Sequence, residues 1–447
     1  MAKVITRFPP SPTGYLHVGG LRTALFNFLY AKKSEGKFIL RIEDTDRERF
    51  VPDAEERIVK ILNDFGLHYD ERYKQSERLE IYQKYAQQLV ADGKAYEEEG
   101  EKGTAIRFKL AKTGITEYSD LVYGKIQFKN ELLKDPVILK SDGYPVYNFA
   151  NVVDDHEMGV THVIRGEEFL SSTPMHVQIY QAFGWQTPQF SHVPLILDAQ
   201  RKKLSKRTGD VAVEEYLKKG YLKEALINFV ALLGWNPKTT QEVFSLEELE
   251  KEFAIEKINK AGAIFDLTKL DFLNRQWKEK LHLKPQADPM FAYAKKTLSS
   301  QLSDSKVVDE MLIAIWPQIE ERIPGPSKVE EMIGEFDFYF TEPDLSEANL
   351  VWKKSTAEDA KKNLEIISEF LSALSDDKFD APTLEQEIKT LLEKNSIKTG
   401  DGLWPLRVAL SGKDRSPSPF EIMSVLKKEK SLERIKKGIE ALSKGGK

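Results

Sequence analysis

The sequence SPTGYLHVGG at residues 11–20 combines a tight turn, an imidazole and two adjacent glycines directly before an amphipathic segment. Apolar residues then recur at helical spacing, at Leu21, Ala24, Leu25, Phe28 and Leu29. Apolar β-like runs lie on either side, at residues 4–6 and 38–42. This pattern predicts a strand–helix–strand unit that crosses over right-handedly into a parallel sheet, with Gly36 ending the helix.

Ligands of parallel sheets bind at the carboxyl ends of the strands, where a helix N-terminus offers free N–H groups to a phosphate. We therefore interpret residues 11–20 as a nucleotide site. The alternative is that Gly19 and Gly20 only begin a helix and that His17 is a surface side chain.

The composition is that of a globular protein with several domains. The chain has 447 residues, a net charge of −5, 41% hydrophobic residues and no cysteine. No apolar run reaches the roughly 18 residues of a membrane span, and the first residues lack the apolar core of a secretory signal, so we expect a cytoplasmic protein without a membrane partner. The absence of cysteine excludes disulfides and thiolate zinc sites. The net charge argues against a general nucleic-acid coating protein.

Acidic residues follow the second predicted strand and are expected at the same edge of the sheet as residues 11–20. Glu43 is placed to hold an ammonium group, and Asp46 is interpreted as a helix cap. Amphipathic helices are predicted over residues 52–65 and 76–90. Short β-like runs at residues 106–110, 125–128 and 137–139 then predict a small unit inserted into the sheet domain.

Residues 147–156 concentrate tyrosine, asparagine, aspartate and histidine side chains. A metal site of Asp155, His156 and His162 is one interpretation, but this spacing matches no tight ligand pattern, and acids also serve turns and helix starts. Arg165 differs because it follows a short apolar run, a predicted strand end. A guanidinium there suits bidentate recognition of a carboxylate.

A strongly basic loop is the second chemical signal. Residues 201–207 read RKKLSKR, so positive charge stands at five of seven positions and polyphosphate is the natural partner. Lys203 and Lys206 are placed to neutralise the charge that develops as pyrophosphate leaves. A solvated or localisation-type basic run is the alternative.

Two of these motifs together resemble the signatures of a known enzyme class. HVGG at residues 17–20 and KLSKR at residues 203–207 are similar to the HIGH and KMSKS motifs of class I aminoacyl-tRNA synthetases. Within that class the chain resembles the bacterial-type glutamyl-tRNA synthetases, in segments at residues 7–14, 41–46, 147–156 and 163–168. The resemblance runs through nearly the whole chain.

The resemblance implies an α/β fold. A Rossmann-like parallel-sheet catalytic domain would carry an inserted α+β acceptor-binding domain and would be followed by all-α stem-contact and anticodon-binding domains. The implied ranges are residues 1–90 and 141–209 for the catalytic domain, 91–140 for a shortened insert, 210–280 for stem contact and 281–447 for anticodon binding. Helical periodicity predicts helices in the last two domains, over residues 212–233, 266–277, 311–319, 357–374, 383–392 and 420–426.

The resemblance also implies roles for single residues. Two arginines would grip the γ-carboxylate of glutamate and one glutamate would hold its α-ammonium group. The implied glutamate-binding residues are Arg7, Ser11, Glu43, Tyr147, Asn151 and Arg165. The implied ATP-binding residues are His17, Gly19, Glu168, Phe169, Lys203 and Lys206, of which His17, Lys203 and Lys206 would be catalytic. Arg407, in the segment at residues 404–412, and Arg322 would contact the anticodon.

The implied reaction is ATP-dependent activation of L-glutamate to glutamyl-adenylate and transfer to the 3′-terminal adenosine of tRNA(Glu), releasing AMP and diphosphate. Mg²⁺ would accompany ATP, and no protein nucleophile is needed. Many family members carry a cysteine-rich zinc site in the insert, but here the insert is short and has no cysteine, so no zinc is expected. A monomer is the family expectation, and additional charging of tRNA(Gln) stays open.

Other functions fit the sequence less well. Glutaminyl-tRNA synthetases share the catalytic half but have a β-barrel anticodon part, whereas the carboxyl half here is predicted to be helical. A short paralogue that glutamylates a tRNA base would lack that half altogether. A regulatory RNA-binding protein that had lost activity would be expected to lose His17 or the lysine loop. A generic nucleotidyltransferase would not need the segment around Arg407.

Overall fold

The computed structural model describes residues 3–101, 103–204, 212–300 and 305–444. The chain divides into two compact units, Met1–His282 and Leu283–Lys447. The first contains the parallel sheet and its helices, and the predicted α/β class is confirmed. No helix in the described ranges is long and apolar enough to cross a membrane.

The first unit opens with three parallel strands that alternate with helices. Ile5 pairs with Lys37 in the register of the first two strands, and Leu40 pairs with Arg72 in the register of the next two. The predicted strand–helix–strand unit is therefore confirmed. The elements are β1 (Ile5–Phe8), α1 (Val18–Lys33), β2 (Lys37–Ile42), α2 (Ala54–Asp64), β3 (Glu71–Lys74) and α3 (Leu79–Ala91).

Five strands follow, and the sequence pattern does not predict two of them. They are β4 (Ala95–Gly100), β5 (Gly103–Phe108), β6 (Ile115–Asp120), β7 (Gly124–Lys129) and β8 (Val137–Leu139). β4, β5 and β8 form an antiparallel sheet, while β6 and β7 form a hairpin. The pattern misses β4 because most of its side chains are charged and exposed, and β6 because two of its three buried side chains, Thr116 and Asp120, are polar.

The next part of the chain alternates helices and strands again, with α4 (Tyr147–Glu157), β9 (His162–Gly166), α5 (Thr173–Phe183) and β10 (Gln189–Val193). The strand order is β7-β6-β10-β9, with β9 and β6 both parallel to β10. The Thr161 amide donates to the Ile5 carbonyl at 2.9 Å, which attaches β9 to β1. The carboxyl ends of β1, β2 and β9 thereby meet at one edge.

The rest of the first unit is mostly helical. It contains β11 (Ile196–Leu197), α6 (Val213–Lys218), α7 (Lys223–Leu232), α8 (Leu246–Glu252), β12 (Ala263–Ile264) and α9 (Leu267–Lys280). The prediction of one helix over residues 212–233 is wrong. Gly220 has φ +93°, a left-handed conformation that ends α6 and separates it from α7.

Gly36 has a different role from the predicted one. Glu35, with φ +49°, is the left-handed residue after α1, and the Gly36 amide closes the turn by donating to the Ala31 carbonyl at 2.8 Å. A Cβ added at Gly36 would lie 2.2 Å from the Val4 carbonyl oxygen. Glycine is therefore required by close approach of the backbone, and the prediction that Gly36 ends the helix is wrong.

Gly36→Ala is expected to destabilise the first unit by about 1–3 kcal/mol, because the methyl group meets backbone that cannot rotate away. The midpoint of urea unfolding measures this. Gly334→Ala is the control, since a Cβ at Gly334 meets no atom within 4 Å. An unchanged midpoint for Gly36→Ala would contradict the expectation.

In the second unit the structure describes helices and no strands up to residue 444, as predicted. They are α10 (Pro289–Ser299), α11 (Ser305–Arg322), α12 (Val329–Phe336), α13 (Glu347–Leu350), α14 (Ala357–Ala373), α15 (Ala381–Lys394), α16 (Thr399–Ser411) and α17 (Pro419–Lys444). α17 breaks at Lys427, which has φ +63°. Arg434, after the break, donates to the carbonyls of Leu410 at 2.6 Å and Thr341 at 3.0 Å.

Candidate active site

A cavity of about 360 Å³ lies where β1, β2 and β9 end and α1 begins. Its floor is buried and its rim is exposed. It is lined by most of the residues expected to bind glutamate or ATP, namely Arg7, Ser11, His17, Gly19, Glu43, Tyr147, Arg165, Glu168, Phe169 and Lys203. Asn151 does not line it, and Lys206 lies outside the described residues.

Two buried arginines form the floor. Arg7 Nε donates to Asp155 Oδ1 at 3.0 Å, and neither terminal nitrogen of Arg7 has a hydrogen-bond partner in the described part of the chain. Arg165 Nε and Nη2 are hydrogen-bonded, whereas its Nη1 has no such partner. Burial lowers the pKa of Arg165 and the Arg7 charge lowers it further, although Tyr147 and Asp155 oppose the shift. Unpaired buried N–H groups are costly, so this floor suits an anionic acceptor.

Arg41 organises the acidic side of the cavity. Glu43 Oε1 accepts from Arg41 Nη2 at 2.9 Å, and Asp155 Oδ1 accepts from Arg41 Nη1 at 2.6 Å. Burial raises the pKa of Glu43 to about 7, although Arg41 and Arg7 oppose the shift. The sequence pattern includes Arg41 but assigns it no role, because nothing local shows that its partner lies more than a hundred residues away.

The three residues considered for a metal site have separate contacts. Asp155 forms ion pairs with Arg7 and Arg41. The ring of His156 stacks on Trp185 with centroids 3.7 Å apart, and His162 Nδ1 lies 2.9 Å from the Thr161 hydroxyl. They do not converge on one point.

The helix start at the opposite end of the cavity is shaped by His17. This residue caps α1, and its Nδ1 accepts from the Gly20 amide at 3.3 Å. A Cβ at Gly19 would lie 3.1 Å from the His17 ring, and one at Gly20 would lie 2.6 Å from the Leu16 side chain. Gly19 therefore leaves room for the imidazole over the first turn, and Gly20 leaves room for the Leu16 side chain.

The lysine loop is attached beside this helix start. Lys203 pairs with Leu197 in an isolated antiparallel β-bridge, and the Leu204 amide donates to the Ile196 carbonyl at 2.9 Å. Beyond residues 205–211, which are not described, the Val213 amide donates to the Leu16 carbonyl at 2.8 Å. The described ends of the loop thus flank the cavity.

Two aromatic rings line the cavity beside Arg165. The Tyr147 and Phe169 rings lie 5.5 Å apart, and the Arg165 guanidinium lies 5.0 Å from the Phe169 centroid. Burial raises the pKa of Tyr147 to about 12, so its phenol stays neutral. Asn151, one turn after Tyr147 on α4, is buried and its Nδ2 has no hydrogen-bond partner among the described residues.

The two carboxylates that follow β9, those of Glu167 and Glu168, have different contacts. A Cβ at Gly166 would lie 2.0 Å from the Glu168 carboxylate, so glycine allows Glu168 to fold back over the strand end. Glu167 instead accepts from the Leu195 amide at 3.0 Å. Arg22, a lining residue that the sequence pattern does not single out, donates to the Leu233 carbonyl at 3.1 Å, and burial lowers its pKa to about 10.

The two expected anticodon residues lie in the second unit. Arg407, on α16, is half-buried and its Nε has no hydrogen-bond partner among the described residues. Arg322 ends α11, where its Nη1 donates to the Gln318 carbonyl at 3.1 Å and its Nη2 lies 3.4 Å from Glu421 Oε1.

Comparison with known proteins gives matches along both units. The model for the catalytic domain of class I tRNA synthetases (E and Q) matches residues 3–104 and 97–272, and an anticodon binding domain model matches residues 284–439. A glutamate–tRNA ligase of Clostridium novyi is 42% identical, with 98% of each chain covered. The counterpart from Clostridium acetobutylicum is 39% identical, with 99% of each chain covered. The solved structure of a glutamate tRNA ligase from Elizabethkingia meningosepticum, in complex with its amino acid, aligns with a TM-score of 0.82 and 34% identity over 98% of this chain and 100% of that one.

Proposed function

Because the chain belongs to the glutamate–tRNA ligases, a family of class I aminoacyl-tRNA synthetases, we propose that it activates L-glutamate with ATP and transfers it to the 3′-terminal adenosine of tRNA(Glu). AMP and diphosphate are the other products. The observation that carries the proposal is the buried floor of Arg7 and Arg165, where both terminal nitrogens of Arg7 and Nη1 of Arg165 have no hydrogen-bond partner among the described residues and are left for an anionic acceptor. A side-chain carboxylate fits this need, whereas a carboxamide would bring its own N–H donors against them.

The two ends of glutamate would meet opposite charges. Arg7 and Arg165 receive the γ-carboxylate, and Glu43 receives the α-ammonium group. Arg41 holds Glu43 in place through two donors to one oxygen, at 3.2 and 2.9 Å, so the other oxygen is available to the ligand. Ser11, Tyr147 and Asn151 complete this pocket in the proposal.

ATP would occupy the exposed end of the cavity. His17 and Gly19 lie at the helix start, and Glu168, Phe169 and Lys203 approach from the other strands. Lys206 belongs to the same proposal through the sequence motif alone. Mg²⁺ would be held mainly by ATP phosphates and water, because the described residues contain no group of three or more His, Cys, Asp or Glu side chains suited to a metal. It would neutralise phosphate charge.

The reaction divides into two displacements that need no protein nucleophile. The α-carboxylate of glutamate attacks the α-phosphorus of ATP, the bond to diphosphate breaks, and glutamyl-adenylate forms. A ribose hydroxyl of the terminal adenosine then attacks the acyl carbon, and AMP leaves. Catalysis consists of positioning and charge neutralisation, to which the helix start and Lys203 contribute.

Aminoacylation tests this function. Radiolabelled glutamate is offered with purified tRNA(Glu) or tRNA(Gln), with and without ATP and Mg²⁺. Charging of tRNA(Glu) that requires ATP is the expected result, and its absence would overturn the proposal. Charging of tRNA(Gln) in the parallel reaction decides whether one or two tRNAs are substrates. We include a monomeric state in the proposal, which light scattering of the purified protein checks.

The pH dependence of glutamate use should follow Glu43. Its pKa is raised to about 7, and only the carboxylate attracts the α-ammonium group. The kcat/KM for glutamate should therefore fall by up to about tenfold per pH unit as the pH drops below 7. The kcat/KM for ATP is the internal reference. Glu43→Gln should have low activity, and its kcat/KM for glutamate should not fall in this way below pH 7. If the wild-type kcat/KM for glutamate is unchanged between pH 8 and pH 6, the expectation is contradicted.

A further inference from the structure

Arg165 is held by neutral groups. Its Nε donates to His192 Nε2 at 3.2 Å, and its Nη2 lies 2.7 Å from Thr173 Oγ1 and 3.1 Å from His176 Nδ1. A guanidinium can only donate. His192 Nε2 and His176 Nδ1 must therefore both be unprotonated lone-pair nitrogens.

Asp120, the last residue of β6, selects the tautomer of His192. Its Oδ1 accepts from the amides of Val122 at 2.9 Å and Tyr123 at 2.8 Å. Its Oδ2 accepts from His192 twice, from the amide at 3.1 Å and from Nδ1 at 2.6 Å. Four donors surround one carboxyl group, so Asp120 is an ionised acceptor and the imidazole proton of His192 lies on Nδ1.

His176 takes the opposite tautomer. Its Nε2 lies 2.9 Å from Asn148 Oδ1, so Nε2 carries the proton and Nδ1 is left to accept from Arg165. Burial and the Arg165 charge lower the pKa of His176 well below its ordinary value. Burial also lowers the pKa of His192, although Asp120 opposes this shift. Both rings are neutral.

The electrostatic consequence is that Arg165 is oriented without being neutralised. Arg7 and Arg41, by contrast, both form ion pairs with Asp155. A carboxylate in place of His176 or His192 would compete with the substrate for the Arg165 charge. Neutral acceptors fix the plane of the guanidinium and leave its charge, with the unpaired Nη1, to the cavity.

We infer that Asp120, His192, His176 and Asn148 are positioning residues that aim Arg165 at the substrate carboxylate and so favour glutamate over a neutral carboxamide. This inference rests on the proposed function of Arg165. The four residues form a continuous hydrogen-bonded chain through Arg165, from the hairpin strand β6 through β10 and α5 to α4. Loss of an acceptor frees the guanidinium to rotate.

A near-isosteric pair of variants tests this inference. His176→Leu removes the acceptor, whereas His176→Asn keeps an oxygen near the Nδ1 position. Pyrophosphate exchange is measured with tRNA(Glu) present, at varied glutamate, glutamine and ATP. For His176→Leu the KM for glutamate should rise at least about tenfold, with kcat and the KM for ATP within about threefold of wild type. The preference for glutamate over glutamine should fall, and His176→Asn should restore both values.

Asp120→Asn is the second variant, in case His176→Leu does not fold. Its amide N–H₂ must face either the two turn amides or the two His192 donors, and the same rise in the KM for glutamate is expected. Glu117→Gln, an exposed change on the same strand, is the control.

The inference is overturned if His176→Asn is as impaired as His176→Leu, if kcat and both KM values change together, or if Asp120→Asn behaves as wild type. A wild-type protein that shows no glutamate-dependent exchange would instead refute the proposed function, and the inference with it.

Discussion

Replacing Arg165 by methionine is expected to raise the KM for glutamate about 100-fold or more, because truncating one partner of a buried charge pair costs roughly 2–5 kcal/mol. Methionine keeps most of the packing against Phe169 and Phe190, whose centroids lie 5.0 and 5.6 Å from the guanidinium. The KM for ATP should change less than about threefold, since the proposal places the nucleotide at the other end of the cavity. Pyrophosphate exchange with tRNA(Glu) present measures both constants.

Two further variants make this result specific. Arg165→Lys keeps the charge but lacks the planar fork, so partial activity is expected. Arg107→Met removes a half-buried arginine that pairs with Glu98 on the neighbouring strand, and it should leave both KM values unchanged. A rise in the KM for glutamate below about tenfold for Arg165→Met would show that Arg165 does not bind the substrate carboxylate.

Replacing Asp155 by asparagine is expected to lower the free energy of unfolding by about 3–5 kcal/mol, because it leaves two buried guanidinium charges without their shared partner. Asp155 Oδ1 accepts from Arg7 at 3.0 Å and from Arg41 at 2.6 Å, and all three side chains are buried. Although burial alone would raise the pKa of Asp155, the two arginine charges hold it below its ordinary value. Ionised Asp155 therefore stabilises the fold above the pKa of an unfolded aspartate, and this contribution is lost as the pH falls through the lowered pKa.

Urea unfolding at neutral pH measures the effect. The matched control is Asp64→Asn, which removes an exposed carboxylate paired with Lys60 one helical turn away and should shift the midpoint little. Asp155→Asn should also lose glutamate activation, because Arg7 would lose the carboxylate that holds it at the cavity. A wild-type midpoint for Asp155→Asn would show that this buried pair does not stabilise the fold.

Local periodicity predicts those elements that bury a continuous stripe. α1, α14 and α15 follow the helical period over several turns, and their predicted positions agree with the structure. β4 fails because exposed charged residues carry no period-two signal. The helix predicted over residues 212–233 fails for another reason: its apolar spacing continues across Gly220, but the left-handed backbone there turns the chain.

The candidate site shows the same division. Arg7, His17, Glu43, Arg165 and Lys203 are recognisable because each stands in a short motif at a strand end, a helix start or a basic loop, and the structure brings them around one cavity. Their supporting residues carry no such signal. Asp120 and His192 are separated by 72 positions, and their contact exists only because β6 pairs with β10.

The sequence by itself determined the strand–helix–strand unit, the helical carboxyl half and many of the residue types that line the cavity, because turn chemistry, helical period and charge act over a few neighbouring positions. Only the tertiary structure decided which charges are neutralised. Arg7 and Arg41 share Asp155, whereas Arg165 is held by neutral imidazoles. The physical reason is that protonation, tautomer and desolvation depend on groups brought together from distant strands, and no local pattern records which of them will meet.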